Sequence, residues 1–225
     1  MAILKRALRL FESGGERPFR PSVIRTATFS LRTTARNALV GRRFRILNYG
    51  NLRVARNARL RFGTGFYGFL DGSEAALIRN RGTLILEGDV SVGGGARWDI
   101  GPESIVSIGD GTYFSPNVLL VSSKGISVGA KCAIGWEVQL LDTDFHAHGL
   151  ARRHVELPPA TSFRSSVEIG DRVWIGSGVK VYKGVRIAEG CIVAGGSVVT
   201  RSVLEPGSLV AGNPARVIKT GVTWQ

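Results

Sequence analysis

All three histidines of this 225-residue chain, His146, His148 and His154, lie within or just beyond the segment Leu141-Asp142-Thr143-Asp144-Phe145-His146-Ala147-His148-Gly149. Histidine is the side chain whose ordinary pKa suits proton transfer near neutrality, and a nearby carboxylate can hold it in one tautomer and orientation. Asp142, Asp144 and His146 therefore have the types and spacing of a general-base pair or triple. Two other readings stay open at this level. Exposed loop histidines often do nothing, and His-x-His beside aspartates also resembles a metal site. Zinc asks for three or four protein ligands in a defined shell, and this segment holds no cysteine to complete one, so no metal is expected.

The elements that must position these residues announce themselves by a beat of six. Ile169, Ile175, Val181, Ile187, Val193 and Val199 recur at that interval, and the fifth position of each hexad is small or β-branched at Val173, Val179, Val185, Cys191, Ser197 and Val203. A period of six fits neither a helix nor a lone alternating strand. It fits a short strand and a turn on one face of a three-sided coil, so that three hexads complete one turn of a parallel β-helix. Stacked coils about 4.8 Å apart then place each aliphatic residue over its equivalents. The chain's 30 glycines suit the corners of such a solenoid. Upstream the beat runs less regularly through Val92, Ile100, Ile108, Phe114, Leu120 and Ile126, then cleanly through Val128, Ile134 and Leu140. Between Leu140 and Ile169 it stops, and the histidines lie in that gap. An insertion of this size leaves the coil as an outside loop, which is where rigid scaffolds tend to carry chemistry. Cys132 and Cys191 take fifth positions and read as buried wall, so no covalent intermediate is expected.

The excess charge lies at one end. Residues 1–62 hold 15 basic and 2 acidic side chains, whereas 63–225 hold 15 of each. Such an end is attracted to nucleic acid, to an anionic membrane surface or to an anionic glycan. Few aromatics stand among the arginines and no nucleic-acid motif appears, so no nucleic-acid partner is expected. Ile3, Leu4, Ala7, Leu8 and Phe11 form an apolar helical stripe that ends at Ser13-Gly14-Gly15. That short amphipathic helix reads either as a cap on the open end of the solenoid or as a foot on a membrane surface. Residues 16–40 show no period. From Arg43 to Arg61, Phe44, Ile46, Leu52, Val54 and Leu60 suggest a first coil with arginine on its outside. No apolar run is long enough to span a membrane, and no secretory leader is apparent, which points to a cytoplasmic protein.

These segments carry a resemblance. The runs Ile134-Gly135-Trp136-Glu137-Val138-Gln139-Leu140-Leu141-Asp142-Thr143-Asp144-Phe145-His146, Ile169-Gly170-Asp171-Arg172-Val173-Trp174-Ile175-Gly176, Val193-Ala194-Gly195-Gly196-Ser197-Val198-Val199-Thr200 and Ala211-Gly212-Asn213-Pro214-Ala215-Arg216-Val217-Ile218-Lys219 resemble the hexapeptide-repeat acyltransferases. The likeness is to the branch of maltose, galactoside and capsular-polysaccharide O-acetyltransferases, and it covers roughly residues 84–219. It implies an all-β fold, a left-handed parallel β-helix, which is the rare exception to right-handed crossovers. It also implies a homotrimer with acetyl-CoA bound in a cleft between subunits, and acetyl transfer to a saccharide hydroxyl. By that resemblance His146 is the general base with His148 as second candidate, and Trp136 and His148 lie with the acceptor. Trp174 and Ser177 line the pantetheine channel, Gly195, Gly196, Thr200 and Arg201 follow along the coil edge, and Arg216 and Lys219 approach the nucleotide phosphates. Gly195 departs from the alanine usual there. Acetylation of an amino sugar, or a non-catalytic glycan-binding solenoid, are the competing functions. The expected organisation is a basic extension over 1–42 with its short helix, a β-helix over 43–219 of five to six coils, an extruded loop over 141–168 and a tail over 220–225. The basic end would work beside an anionic membrane face, where glycans are built on lipid carriers.

Overall fold

The structure, a computed structural model, describes residues 22–32, 37–64, 75–146 and 165–225. Three strands, β1 (Asn37–Val40), β2 (Phe44–Asn48) and β3 (Asn51–Val54), make the first coil. Each then pairs in parallel with the strand three places later: Ala38 faces Leu60, Ile46 faces Ile78 and Leu52 faces Leu84. Repetition of that step gives three sheets of nine, seven and six strands around one core, a left-handed parallel β-helix as expected. Seven coils are complete and an eighth begins at β21 (Leu209–Gly212), on which β22 (Ala215–Lys219) folds back antiparallel. That is more than the five to six coils expected, and the sheets begin at Asn37, ahead of Arg43.

The first coils were under-counted because they are wider. Val90 pairs with Thr112, 22 positions on, whereas Trp174 pairs with Ile192, 18 positions on. A 22-residue coil has longer strands and a larger triangular section, which Val and Ile cannot fill. Phe44, Phe62, Trp98 and Phe114 occupy it instead, with Trp98 edge-on to Phe114 at 4.8 Å. From Ile169 onward two-residue strands suffice. There the six aliphatic residues of the hexad beat and their fifth-position partners are all buried, including Cys191 and Ser197. Each such Ile or Val buried contributes on the order of 1.5–3 kcal/mol.

The end of the solenoid is capped by α1 (Val23–Arg32). Ser22 caps it by accepting the Arg25 amide on its hydroxyl, and its own amide donates to the Val40 carbonyl, while the Val40 amide donates to Thr26 Oγ1. These bonds satisfy part of the free edge of β1. Phe29 on the opposite face plugs the core against Phe62, ring centroids 5.5 Å apart. The capping role expected of a helix at residues 3–11 is thus filled by a later segment in which no helical period was apparent, and 3–11 itself lies outside the described residues. Among those residues no helix is long and apolar enough to cross a membrane.

Candidate active site

The gap in the beat opens at the corner between the second and third sheets, where β14 (Gln139–Leu141) should turn directly into β15 (Val167–Ile169). Asp142 stands at its root, fully buried. Its Oδ2 accepts the Ser122 hydroxyl at 2.8 Å and the amides of Lys124 and Gly125 at 2.8 and 2.6 Å, and Oδ1 accepts the Ser123 amide at 2.7 Å. Ser122 Oγ in turn meets the buried Ser104 hydroxyl of the coil before. The Asp142 carbonyl accepts the Ser165 amide at 3.0 Å, so one residue ties the outgoing chain to the coil below and to the returning chain. With both oxygens of its carboxylate engaged in this turn, Asp142 anchors the loop, and among the described residues no hydrogen bond joins it to His146.

Asp144 is held otherwise. Its Oδ2 lies 2.6 Å from Lys183 Nζ at the same corner one coil on, both side chains about three-quarters buried. The second expected partner of His146 thus meets a lysine that the sequence did not single out. Phe145 takes a left-handed φ of 62°, with its amide bonded to the buried Thr143 hydroxyl at 3.0 Å. This kink turns the chain outward and leaves Phe145 and His146 exposed. Among the described residues no hydrogen bond reaches the His146 ring. His148 lies outside the described residues.

The remaining candidates divide between places. Thr200 and Arg201 are exposed at the loop's own corner, two coils further on. Trp136, Ser177, Gly195 and Gly196 stack at the corner between the first and second sheets. There the Gly178 amide donates to the Trp136 carbonyl at 2.7 Å and the Gly196 amide to the Ser177 carbonyl at 2.8 Å. The stacking is close: a Cβ on Gly176 would stand 2.6 Å from the Gly195 nitrogen, whereas one on Gly196 would meet nothing within 4 Å. Gly195 and Gly196 thus form an exposed shelf that a ligand can approach at backbone level. Trp174, on the outer face of the first sheet, is 44% exposed and carries the tail residue Trp224 against it, centroids 6.2 Å apart, with Trp224 Nε1 donating to the Arg172 carbonyl at 2.7 Å. Nothing in the tail's sequence announced that contact. Arg216 and Lys219 are exposed on β22.

Cys132 and Cys191 are free thiols in the wall. Burial pushes the Cys132 thiol up to about 11 and raises that of Cys191 as well, which suits neither to nucleophilic work near pH 7.

Within one chain the two corners are separated by the width of the second sheet, the span from Ser177 to Lys183, roughly 16–20 Å at about 3.3 Å per residue.

Residues 166–201 match the family described as bacterial transferase hexapeptide (six repeats). The chain is 38% identical over 190 residues to an uncharacterized 24.8 kDa protein in the cps region of Klebsiella pneumoniae, a match spanning 84% of this chain and 82% of the relative. Among solved structures it is similar to a hexapeptide-repeat acetyltransferase of Vibrio cholerae O1 biovar eltor complexed with acetyl coenzyme A. That match has 32% identity and a TM-score of 0.43, over 51% of this chain and 60% of that one. It also shares its fold with the polySia-specific acetyltransferase NeuO, at 23% identity and a TM-score of 0.53, over 81% and 89% of the two chains.

Proposed function

The chain belongs to the hexapeptide-repeat acyltransferase family, and from that premise we propose that it transfers an acetyl group from acetyl-CoA to a hydroxyl of a saccharide, with His146 as general base. The observation that carries the reading is the loop root: a buried carboxylate with four donors, there to project an exposed histidine from a rigid coil. The Klebsiella relative's cps region and the sialic-acid polymer named for NeuO support a glycan acceptor.

In this reading the site forms between copies of a homotrimer, the His146 corner of one facing the glycine shelf of the next. Trp174 and Ser177 border the pantetheine arm, and Arg216 and Lys219 neutralise the nucleotide phosphates. A sugar hydroxyl is a poor nucleophile at neutral pH, so the neutral His146 imidazole takes its proton as the oxygen attacks the thioester carbonyl. The Gly195 amide at the glycine corner faces the oxyanion, an effect typically worth about 3 kcal/mol per donor. Collapse of the tetrahedral intermediate breaks the C–S bond, and the imidazolium returns the proton to the departing thiolate. No covalent enzyme intermediate forms, in keeping with two buried cysteines. The enzyme works on the cytoplasmic side, on acceptors carried by lipid.

Thiol release from acetyl-CoA with a panel of saccharides tests the reading. His146→Ala should lower kcat by about 10²–10⁴-fold, the range of a lost general base, with little change in the KM for acetyl-CoA. Equal rates for variant and wild type refute the assignment, and a response confined to amino sugars replaces O-acetylation by N-acetylation. Sedimentation equilibrium at a monomer mass removes the shared site.

A further inference from the structure

From the first coil and its cap we infer that the α1 end of the solenoid is a docking surface for an anionic lipid bilayer. Between Ser22 and Thr64 the chain contains no acidic residue. Arg42 stands in the turn after β1, Arg45 on β2, Arg53 on β3 and Arg56 in the turn after β3, all exposed. They are spread around the coil rather than along one face, which makes a collar at the end of the solenoid. Among the described residues the ion pairs of this end fall on Arg59, Arg79 and Arg81, which meet Asp89 and Asp99 of the third coil, and none falls on the four collar arginines. Their charge is left facing outward.

Inside the collar apolar side chains are exposed beside polar ones. Val23 and Ile24 of α1 are 62% and 79% exposed, and Tyr49, at the corner after β2, is 72% exposed. Between α1 and the first coil runs a groove of about 220 Å³ lined by Ile24, Ile46 and Leu52 and also by Arg25, Thr28 and Asn48. It is smaller than the roughly 300–1,000 Å³ of sites for small molecules, so it reads as the seam of a surface and not as a coenzyme pocket. Aliphatic side chains presented within a ring of cations, with an aromatic beside them, match the interfacial zone of a bilayer, where apolar tips enter below the headgroups and arginines stay with the phosphates. A soluble polyanion uses the charges but has nothing to offer Ile24.

The surface lies on the first coil and the His146 loop on the fifth, four rungs or about 19 Å away at roughly 4.8 Å per rung. The inference therefore does not depend on the proposed chemistry, and its test leaves that chemistry intact. Full-length protein is sedimented with vesicles of phosphatidylcholine alone or mixed with phosphatidylglycerol, at low and high salt. Wild type should pellet with the mixed vesicles and be released as salt rises. At about fivefold per basic group, Arg42→Glu/Arg45→Glu/Arg53→Glu/Arg56→Glu should weaken partitioning by on the order of a hundredfold or more. Ile24→Asp should weaken it by about tenfold, and thiol release from soluble acceptors should be unchanged in both. A chain lacking residues 2–21 should keep binding that depends on the collar. The inference is overturned if wild type ignores the mixed vesicles, if the fourfold variant binds as well as wild type with an unchanged circular dichroism spectrum, or if loss of residues 2–21 alone abolishes binding. It is equally overturned if dextran sulfate or duplex DNA binds tightly where vesicles do not and Ile24→Asp has no effect, since the collar then serves an anionic polymer.

Discussion

Asp142→Ala should unfasten the loop without dismantling the solenoid. The carboxylate accepts the amides of Ser123, Lys124 and Gly125 and the hydroxyl of Ser122. Removing it strands four donors, each of which costs about 1–3 kcal/mol if left unsatisfied. The three amides are only partly buried, so water reaches them and the low end applies. The serine can turn toward Ser104 Oγ, which already lies within hydrogen-bond reach. The expected loss is about 3 kcal/mol, local to this corner. Asp142→Asn separates shape from charge: its remaining oxygen can serve the three donors now on Oδ2, but its amide must then face the Ser123 N–H, for a loss of about 1–2 kcal/mol. Hydrogen exchange read amide by amide is the direct assay. At equilibrium about 3 kcal/mol corresponds to roughly a hundredfold faster exchange at residues 123–125 and at Ser165, with the hexads after Ile169 unmoved. Thiol release should fall with the alanine variant through kcat, because misplacement of about 1 Å at the base can cost a hundredfold. Unchanged exchange at 123–125 in Asp142→Ala, or identical losses for Asn and Ala, would refute the anchor.

Gly176→Ala forces a Cβ against the backbone of the next coil, 2.6 Å from the Gly195 nitrogen, and should lower stability by about 1–3 kcal/mol in urea unfolding, whereas Gly94→Ala, whose Cβ would meet nothing within 4 Å, should be tolerated. Lys183→Met breaks the partly buried pair with Asp144 and should reduce kcat for thiol release by about tenfold with the KM for acetyl-CoA unchanged; a change in KM alone would place Lys183 on the coenzyme instead. The Cys132 thiol titrates near 11 when folded and near 9 when unfolded, so both states hold the proton below pH 9. Above it the unfolded chain loses its proton first, and stability falls through the 9–11 window by up to about 1.4 kcal/mol per pH unit. Cys132→Ala should flatten that part of the stability profile, and iodoacetamide at pH 8 should spare native Cys132 while labelling it in urea.

The hexads from Ile169 to Val203 made the solenoid legible because a parallel β-helix is nearly one-dimensional. Each residue's environment is set by the residue one coil away, and a repeated coil length becomes a repeated letter. Ile175, Val193 and Cys191 are buried where the beat placed them. The same logic located the loop, since an interruption of the beat is itself a signal. In the first coils the pattern blurred because width is not periodic: coils longer than 18 residues, filled by Phe44, Phe62, Trp98 and Phe114, obey the same geometry without the six-residue spacing. The capping helix was illegible for a related reason. Val23–Arg32 is only ten residues long and puts Phe29 into the core while Val23 and Ile24 stay exposed, so its apolar residues do not mark out the buried face.

Within the site, residue types and spacing determined that His146 would stand on a loop beside two aspartates. They did not determine where those carboxylates point. Spacing along a chain says which groups are near one another, but a carboxylate's partner is decided by whichever donors the fold delivers with the best geometry. For Asp142 these are the amides at 123–125 of the coil below, and for Asp144 it is Lys183 of the coil above. Nor could sequence bring the tail's Trp224 onto Trp174, a contact between residues 50 positions apart that exists because β22 folds back along β21. What repeats along a solenoid is written in its sequence; what crosses from one coil to another through a side chain is decided only when the coils stack.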